Sequence, residues 1–229
     1  MMYHYIGSLP ANPDAVRKDL TVSTANFSAQ MDYLSKSGYH AITTAQLYGY
    51  LTGKSALPPK PVVITLDDGH EDAFKNAVPI LLAHRMLGSF AVISGFVGTG
   101  DYADWQEIRS AQAQGMEIIN HSFNHMDFMD PRFSLQYKQD AIERCEVALA
   151  GELGDNTRTF VYPYGKYGPE IENLLKADGF EMAFTTNFGE VYKGENLFEL
   201  PRVRVHGRET LGKFKEMLGD YSSSILTKR

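Results

Sequence analysis

Cysteine is almost absent from this sequence. Cys145 is the only one among 229 residues. An intramolecular disulfide, a four-cysteine zinc site and an iron–sulfur cluster are therefore all excluded. Cys145 sits within a helical pattern and reads as a small core residue. Long apolar runs are missing too, since no stretch approaches the ~18 residues needed to cross a bilayer as a helix. Nor is there a block of like charges. Lys and Arg total 22 against 28 Asp and Glu, for a formal charge of −6. An acidic chain without a basic patch argues against nucleic acid as a partner and does not favour an anionic membrane surface. A charged, then apolar, leader is also lacking at the start, where Met1-Met2-Tyr3-His4-Tyr5-Ile6 already reads as a strand. Two locations fit: cytoplasmic, or extracellular and cell-wall associated if an export segment has been removed. The sequence is silent on oligomeric state.

What is present is alternation. Strand patterns over Tyr3–Ile6, Val62–Leu66, Ser89–Ser94, Met116–Ile119, Thr159–Tyr162, Met182–Thr185 and Arg202–Val205 are separated by helical patterns. The helical face of Phe27, Met31 and Leu34 stops at Gly38, and Thr44–Leu51 forms a short helix. Asp104 followed by Glu107 gives a capping box, and Pro169 marks a first helical turn. Repeated strand–helix units imply a parallel α/β sheet, open or closed into a barrel. With no linker or internal repeat in view, residues 1–229 are expected to form a single domain.

Three clusters fall where strands end, the position at which α/β folds place their chemistry. Asp67 and Asp68 follow the Val62–Leu66 run and precede Gly69. Adjacent carboxylates at a strand end can divide their work, one holding a cation and one handling a proton. Asp-Asp-Gly is equally good turn chemistry. His121 and His125 stand four apart, a spacing that brings two imidazoles to one metal, although two surface histidines on a polar loop would read alike. Tyr162-Pro163-Tyr164-Gly165 is a rigid turn with aromatic walls, able to aim a backbone N–H into a cleft or simply to be a loop. Together they make a coherent set. One aspartate and two histidines leave positions open on a metal, a second carboxylate serves as base, and a donor turn stabilises an oxyanion. Those are the parts for hydrolysing an amide or ester.

These motifs resemble the polysaccharide deacetylases of carbohydrate esterase family 4, the NodB homology domain. Thr65-Leu66-Asp67-Asp68-Gly69 is similar to the family's first motif and His121-Ser122-x-x-His125 to its second. Trp105-x-x-Ile108, Gly115-Met116-Glu117-Ile118 and Tyr162-Pro163-Tyr164-Gly165 follow in the family's order. The resemblance implies a distorted (β/α)7 barrel and a divalent metal, zinc, held by Asp68, His121 and His125. It implies Asp67 as general base and the Tyr164 backbone N–H in the oxyanion hole. The substrate implied is an N-acetylated polysaccharide, such as poly-N-acetylglucosamine, peptidoglycan or a chitin-like polymer. Acetate would be released.

Two family features are displaced. The arginine that orients the base is missing from the third motif, where Tyr162 stands, and Arg202 is the candidate to supply that charge. The tryptophan of the fourth motif is absent near Thr185–Gly189. For the acid histidine there are two candidates. His206 lies near the C-terminus, whereas Met2-Tyr3-His4-Tyr5 resembles the poly-N-acetylglucosamine deacetylase branch and favours His4. His70 follows the Asp pair and either lines the site or, as favoured, stands at a surface helix start, and His40 and His84 are expected to be structural. The competing readings are an amidohydrolase of a small non-sugar amide and an inactive glycan-binding homologue.

Overall fold

The computed structural model describes residues 1–154 and 158–225. Its elements in chain order are β1 (Met2–Tyr3), β2 (Tyr5–Ile6), α1 (Ala15–Leu20), β3 (Thr21–Val22), α2 (Thr24–Lys36), β4 (His40–Ala41), α3 (Thr44–Leu51), β5 (Pro61–Val62) and β6 (Thr65–Leu66). A π-helical turn, Ala73–Ala77, leads into α4 (Val78–Ala83), followed by β7 (Ser89–Val92), α5 (Trp105–Ala113), β8 (Glu117–Asn120) and α6 (Leu135–Leu153). The chain ends with β9 (Thr159–Val161), a 3₁₀ turn at Pro163–Gly165, α7 (Pro169–Ala177), β10 (Met182–Phe184) and α8 (Leu211–Ile225). The π turn has a local cause. Pro79 has no N–H to return to the Lys75 carbonyl, so the helix widens there.

Six strands form one parallel sheet in the order β1-β6-β7-β8-β9-β10. Its two edges are bridged by one segment. Leu200 pairs with Phe184 and Arg204 with Met2, both in parallel fashion. The sheet therefore curls into a half-barrel. The expected strand over Arg202–Val205 is thus reduced to a single bridge at Arg204, with the other bridge upstream at Leu200. Pro201 has no N–H for a ladder, and the Arg202 N–H goes to the Asn187 carbonyl at 2.8 Å. The expected strand Val62–Leu66 is split because it serves two sheets. Pro61–Val62 pairs with β4, whereas Thr65–Leu66 pairs with β1 and β7.

Both faces of the strands are apolar, as a covered parallel sheet requires. Successive residues alternate between cores. Phe90, Val92 and Ile118 pack beneath helices with Phe27, Leu81 and Ile108. Phe160 and Ala183 pack with Ile142, Ile171 and Leu175 of α6 and α7. Ala91, Ile119, Val161 and Phe184 face the other way, onto Leu200 and Leu47. Cys145 is fully buried, and that burial pushes its thiol up to about 11, as befits a core residue. At the N-terminal end of β8, the Glu117 carboxylate accepts the N–H groups of Thr44 (2.8 Å) and Ala45 (3.2 Å), tying down the start of α3. The opposite, C-terminal ends of the strands are left for the site.

Candidate metal centre and active site

The register of the first two strands sets the geometry. Met2 pairs with Thr65 and Tyr3 with Leu66, so the next residues, His4 and Asp67, leave the sheet side by side. The Asp67 N–H still bonds the Tyr3 carbonyl at 2.9 Å. Asp68 then turns into the left-handed region at φ 77°. Its side chain thereby takes a direction that strand alternation would have denied it.

His121 follows β8. Its Nδ1 lies 2.7 Å from the Val161 carbonyl, which can only accept, so Nδ1 carries the proton. That leaves Nε2 as the nitrogen able to ligate, and it faces Asp68 Oδ1 at 3.2 Å. His125 Nε2 lies 3.4 Å from the same oxygen. The ligand atoms of Asp68, His121 and His125 all fall within 4.8 Å of one another. Zinc bonds of about 2.0–2.1 Å at tetrahedral angles would place neighbouring ligand atoms about 3.3 Å apart. A carboxylate oxygen facing an imidazole lone pair is repulsive without a cation between them, so the donor set fits a divalent metal in both spacing and charge.

The loop bearing the histidines is shaped for this purpose. Asn120 Oδ1 accepts the Ser122 N–H at 2.8 Å, and Ser122 Oγ accepts the His125 N–H at 3.0 Å. Left-handed φ values occur at Ser122 (65°), His125 (51°) and Tyr164 (59°), as at Asp68. Among the described non-glycine residues only Lys60 and Arg85 share that conformation. Strain thus concentrates where side chains must converge. Gly165 is required beside Tyr164, because a Cβ there would run into Thr186.

Asp67 lies beside this trio, only 2% exposed. Arg202 grips it with both arms: Nη1 to Oδ1 and Nη2 to Oδ2, each at 2.7 Å. The same guanidinium donates to the Thr185 carbonyl at 2.9 Å and to Thr65 Oγ1 at 2.9 Å. Arg202 therefore supplies, from the closing segment, the charge missing from the third motif. Burial alone would raise the Asp67 carboxyl, but the Arg202 charge and its hydrogen bonds outweigh that and hold it below its usual range. Burial raises Asp68 as well, but the neighbouring His121, His70 and His4 rings outweigh it and bring that carboxyl well below the ordinary carboxylate range. Burial and the neighbouring His121 lower His125 to about 4. Burial lowers His4 too, against the opposing charges of Asp68 and Asp67.

The remaining predicted positions divide. Tyr164 is 59% exposed, and its ring stands 4.5 Å from that of His125, on the rim of the site. Tyr162 is not at the site. It is buried with Phe160 and Phe180, its ring stacked on Tyr167 at 5.4 Å, because alternation along β9 turns it toward the helices. His206 is also elsewhere, with Nδ1 3.0 Å from Asp19 Oδ1 in a cluster with Arg204. His70 corrects an expectation. It is 4% exposed instead of on the surface, and its Nε2 sits 3.5 Å from Asp68 Oδ2. The sequence signal was its place directly after Asp67-Asp68-Gly69.

Fold and donor set together describe a curled parallel α/β sheet with residues that could hold a metal ion at the C-terminal ends of its strands. A family model for polysaccharide deacetylases matches residues 54–183, more than half of the chain, and the chain belongs to that family. The match includes Asp67, Asp68, His121, His125 and Tyr164, while His4 and Arg202 lie outside it and are brought in by strand closure. YxkH of Bacillus subtilis, classed as a polysaccharide deacetylase, is 27% identical over 210 residues, covering 90% of this chain and 70% of its own. The poly-β-1,6-N-acetyl-D-glucosamine N-deacetylase of Escherichia coli K12 is 26% identical over 247 aligned positions, covering 89% of this chain but only 36% of the longer relative. The deacetylase PplD of Streptococcus pyogenes, solved with acetate, superposes with a TM-score of 0.86 at 23% identity, over 96% of this chain and 95% of that one, a likeness of fold. Among the described residues no helix is long and apolar enough to cross a membrane.

Proposed function

We propose that this chain is a metal-dependent de-N-acetylase that hydrolyses the acetamide of N-acetylglucosamine units in a polysaccharide. Poly-β-1,6-N-acetylglucosamine is the foremost substrate, because a relative of that activity aligns along 89% of the chain. The observation that carries the reading is the convergence of Asp68, His121 and His125 beside an Asp67 held by Arg202. Zinc is the proposed metal, and the distorted seven-membered barrel is the proposed full description of the fold, with the segment through Leu200 and Arg204 as its seventh member.

A divalent cation held by Asp68, His121 and His125 would supply Lewis acidity toward a carbonyl oxygen and acidify water. The chain does the rest. Asp67, kept ionised by Arg202, takes the proton of the attacking water. The Tyr164 N–H donates to the oxyanion as the carbonyl carbon becomes tetrahedral. His4, lowered by burial and so able to start neutral, receives the water's proton from Asp67 beside it and passes it to the leaving amine, so the proton removed from water ends on the nitrogen. The C–N bond breaks, giving acetate and a free glucosamine unit.

Acetate release from poly-β-1,6-N-acetylglucosamine, peptidoglycan, chitin oligomers and a cyclic ureide tests this reading. Chelation should abolish release and zinc restore it. Release only from the ureide would replace the proposal with a small-amide hydrolase. Undiminished release after complete metal removal would contradict it outright. The acid is tested separately. His4→Ala should lower turnover by about 10²–10⁴-fold, the range for a lost general acid. His206→Ala, remote in its Asp19 cluster, should leave turnover near wild type. The reverse pattern would reassign the acid.

A further inference from the structure

His70 is built into an aromatic stack for which imidazole is an odd filler. Its ring lies 3.8 Å from Tyr5 at an interplanar angle of 20° and 4.8 Å from Tyr102 at 30°. The stack continues outward, with the Arg17 guanidinium 3.4 Å from the centre of Tyr5 and Phe96 5.0 Å from Tyr102. The backbone is pinned as firmly. His70 bridges Tyr102, the Glu71 N–H bonds the Asp101 carbonyl at 2.8 Å, and the Ala103 N–H bonds the Gly69 carbonyl at 3.1 Å. Within this sandwich neither ring nitrogen completes a hydrogen bond, although both are buried. Phenylalanine would fill the same slot without leaving two polar atoms unpaired. What imidazole adds is an N–H, and Nε2 lies 3.5 Å from Asp68 Oδ2, a carboxylate oxygen able to accept it.

The Asp68 carboxylate is thus addressed from two sides. Oδ1 faces His121 at 3.2 Å and His125 at 3.4 Å, whereas Oδ2 faces only His70 among the pairs described. A carboxylate with one free oxygen can rotate and offer either atom, or both, to a cation. A fixed donor on Oδ2 removes that freedom. We propose that His70 is a positioning residue that donates from Nε2 to Asp68 Oδ2 and so presents Oδ1 alone to the metal. The proposal rests on the metal site assigned above. Outer partners of this kind typically change metal affinity by about 10–100-fold.

The test compares wild type with His70→Phe, which keeps a ring in the stack without a donor, and His70→Gln, which keeps a donor near the Nε2 position without the ring. Zinc affinity is measured on metal-free protein by competition with a chromophoric chelator, and the melting temperature of each metal-free protein is recorded alongside. His70→Phe should bind zinc about 10–100-fold more weakly, with a metal-free melting temperature no lower than wild type. His70→Gln should recover most of the affinity although it melts lower. Wild-type affinity in His70→Phe, or equal weakness in both variants, would overturn the proposal. Nitrogen-15 NMR of the wild-type protein is independent of how the variants fold. It should show His70 protonated at Nε2 with Nδ1 bare, and the opposite tautomer would overturn the assignment. If wild type takes up no zinc, the metal site itself fails, and the tautomer still decides whether His70 serves Asp68.

Discussion

Asp67→Asn is expected to lower acetate release by about 10²–10⁴-fold while zinc affinity stays within a few-fold of wild type. The substitution preserves shape and leaves Asp68, His121 and His125 in place, but an amide cannot take a proton from water. The loss should fall on kcat, because a base acts on the transition state and not on substrate capture. Direct assay of kcat and KM, with zinc content measured on the same samples, checks this. Near-normal kcat at full zinc occupancy would remove Asp67 from the role of base. Loss of zinc together with activity would instead make Asp67 part of the metal site.

Arg202→Met should have the larger effect on folding. Arg202 and Asp67 have side chains only 2% and 3% exposed, and each oxygen of the carboxylate is gripped at 2.7 Å. Removing one partner of a buried pair leaves the other as an uncompensated charge, a loss of about 3–5 kcal/mol. The pH dependence has a defined sign. In wild type the folded Asp67 carboxyl lies below its unfolded value of about 3.9, so its contribution is fully present above that pH and is lost as pH falls through the folded value. Without Arg202, burial, which raises the carboxyl, is opposed only by His4 and His121. Proton uptake should then begin at higher pH, moving the acid limb of kcat/KM upward and flattening the gain in stability between about pH 4 and 7. Melting curves and pH–rate profiles of the variant test both expectations. An unshifted acid limb would mean that a group other than Asp67 controls it.

The parts of this site that were legible in the sequence are those written in short contiguous stretches. Asp67 and Asp68 stand at the end of an apolar run, and His121 and His125 are four apart after another, so local spacing alone brings them close to one strand end each. The parts that were hard to read depend on how distant segments meet. Arg202 reaches Asp67 across 135 positions, and the Arg202–Val205 pattern reads as an ordinary strand although it joins the sheet only through the bridge at Arg204. His4 was suggested by resemblance, and parallel register with β6 is what sets it beside Asp67. His70 was misjudged because its burial is created by Tyr5 and Tyr102, neither of which is near the Asp-Asp-Gly turn in a helical or strand pattern. Tyr162 was drawn toward the site by its motif, whereas strand alternation sends it into the core and leaves Tyr164, two residues on, at the rim. The alternation of strands and helices was read correctly because covered parallel strands carry unbroken apolar runs. Their lengths were not, since partner changes such as that between Val62 and Thr65 have no local signal.

X-ray absorption on the zinc-loaded protein addresses the central claim most directly. One zinc per chain with two imidazole nitrogens and oxygen donors at about 2.0–2.2 Å is the expected shell, and it should be lost in Asp68→Ala and His121→Ala. A shell without imidazole, or one unchanged by both substitutions, would show that the metal sits elsewhere.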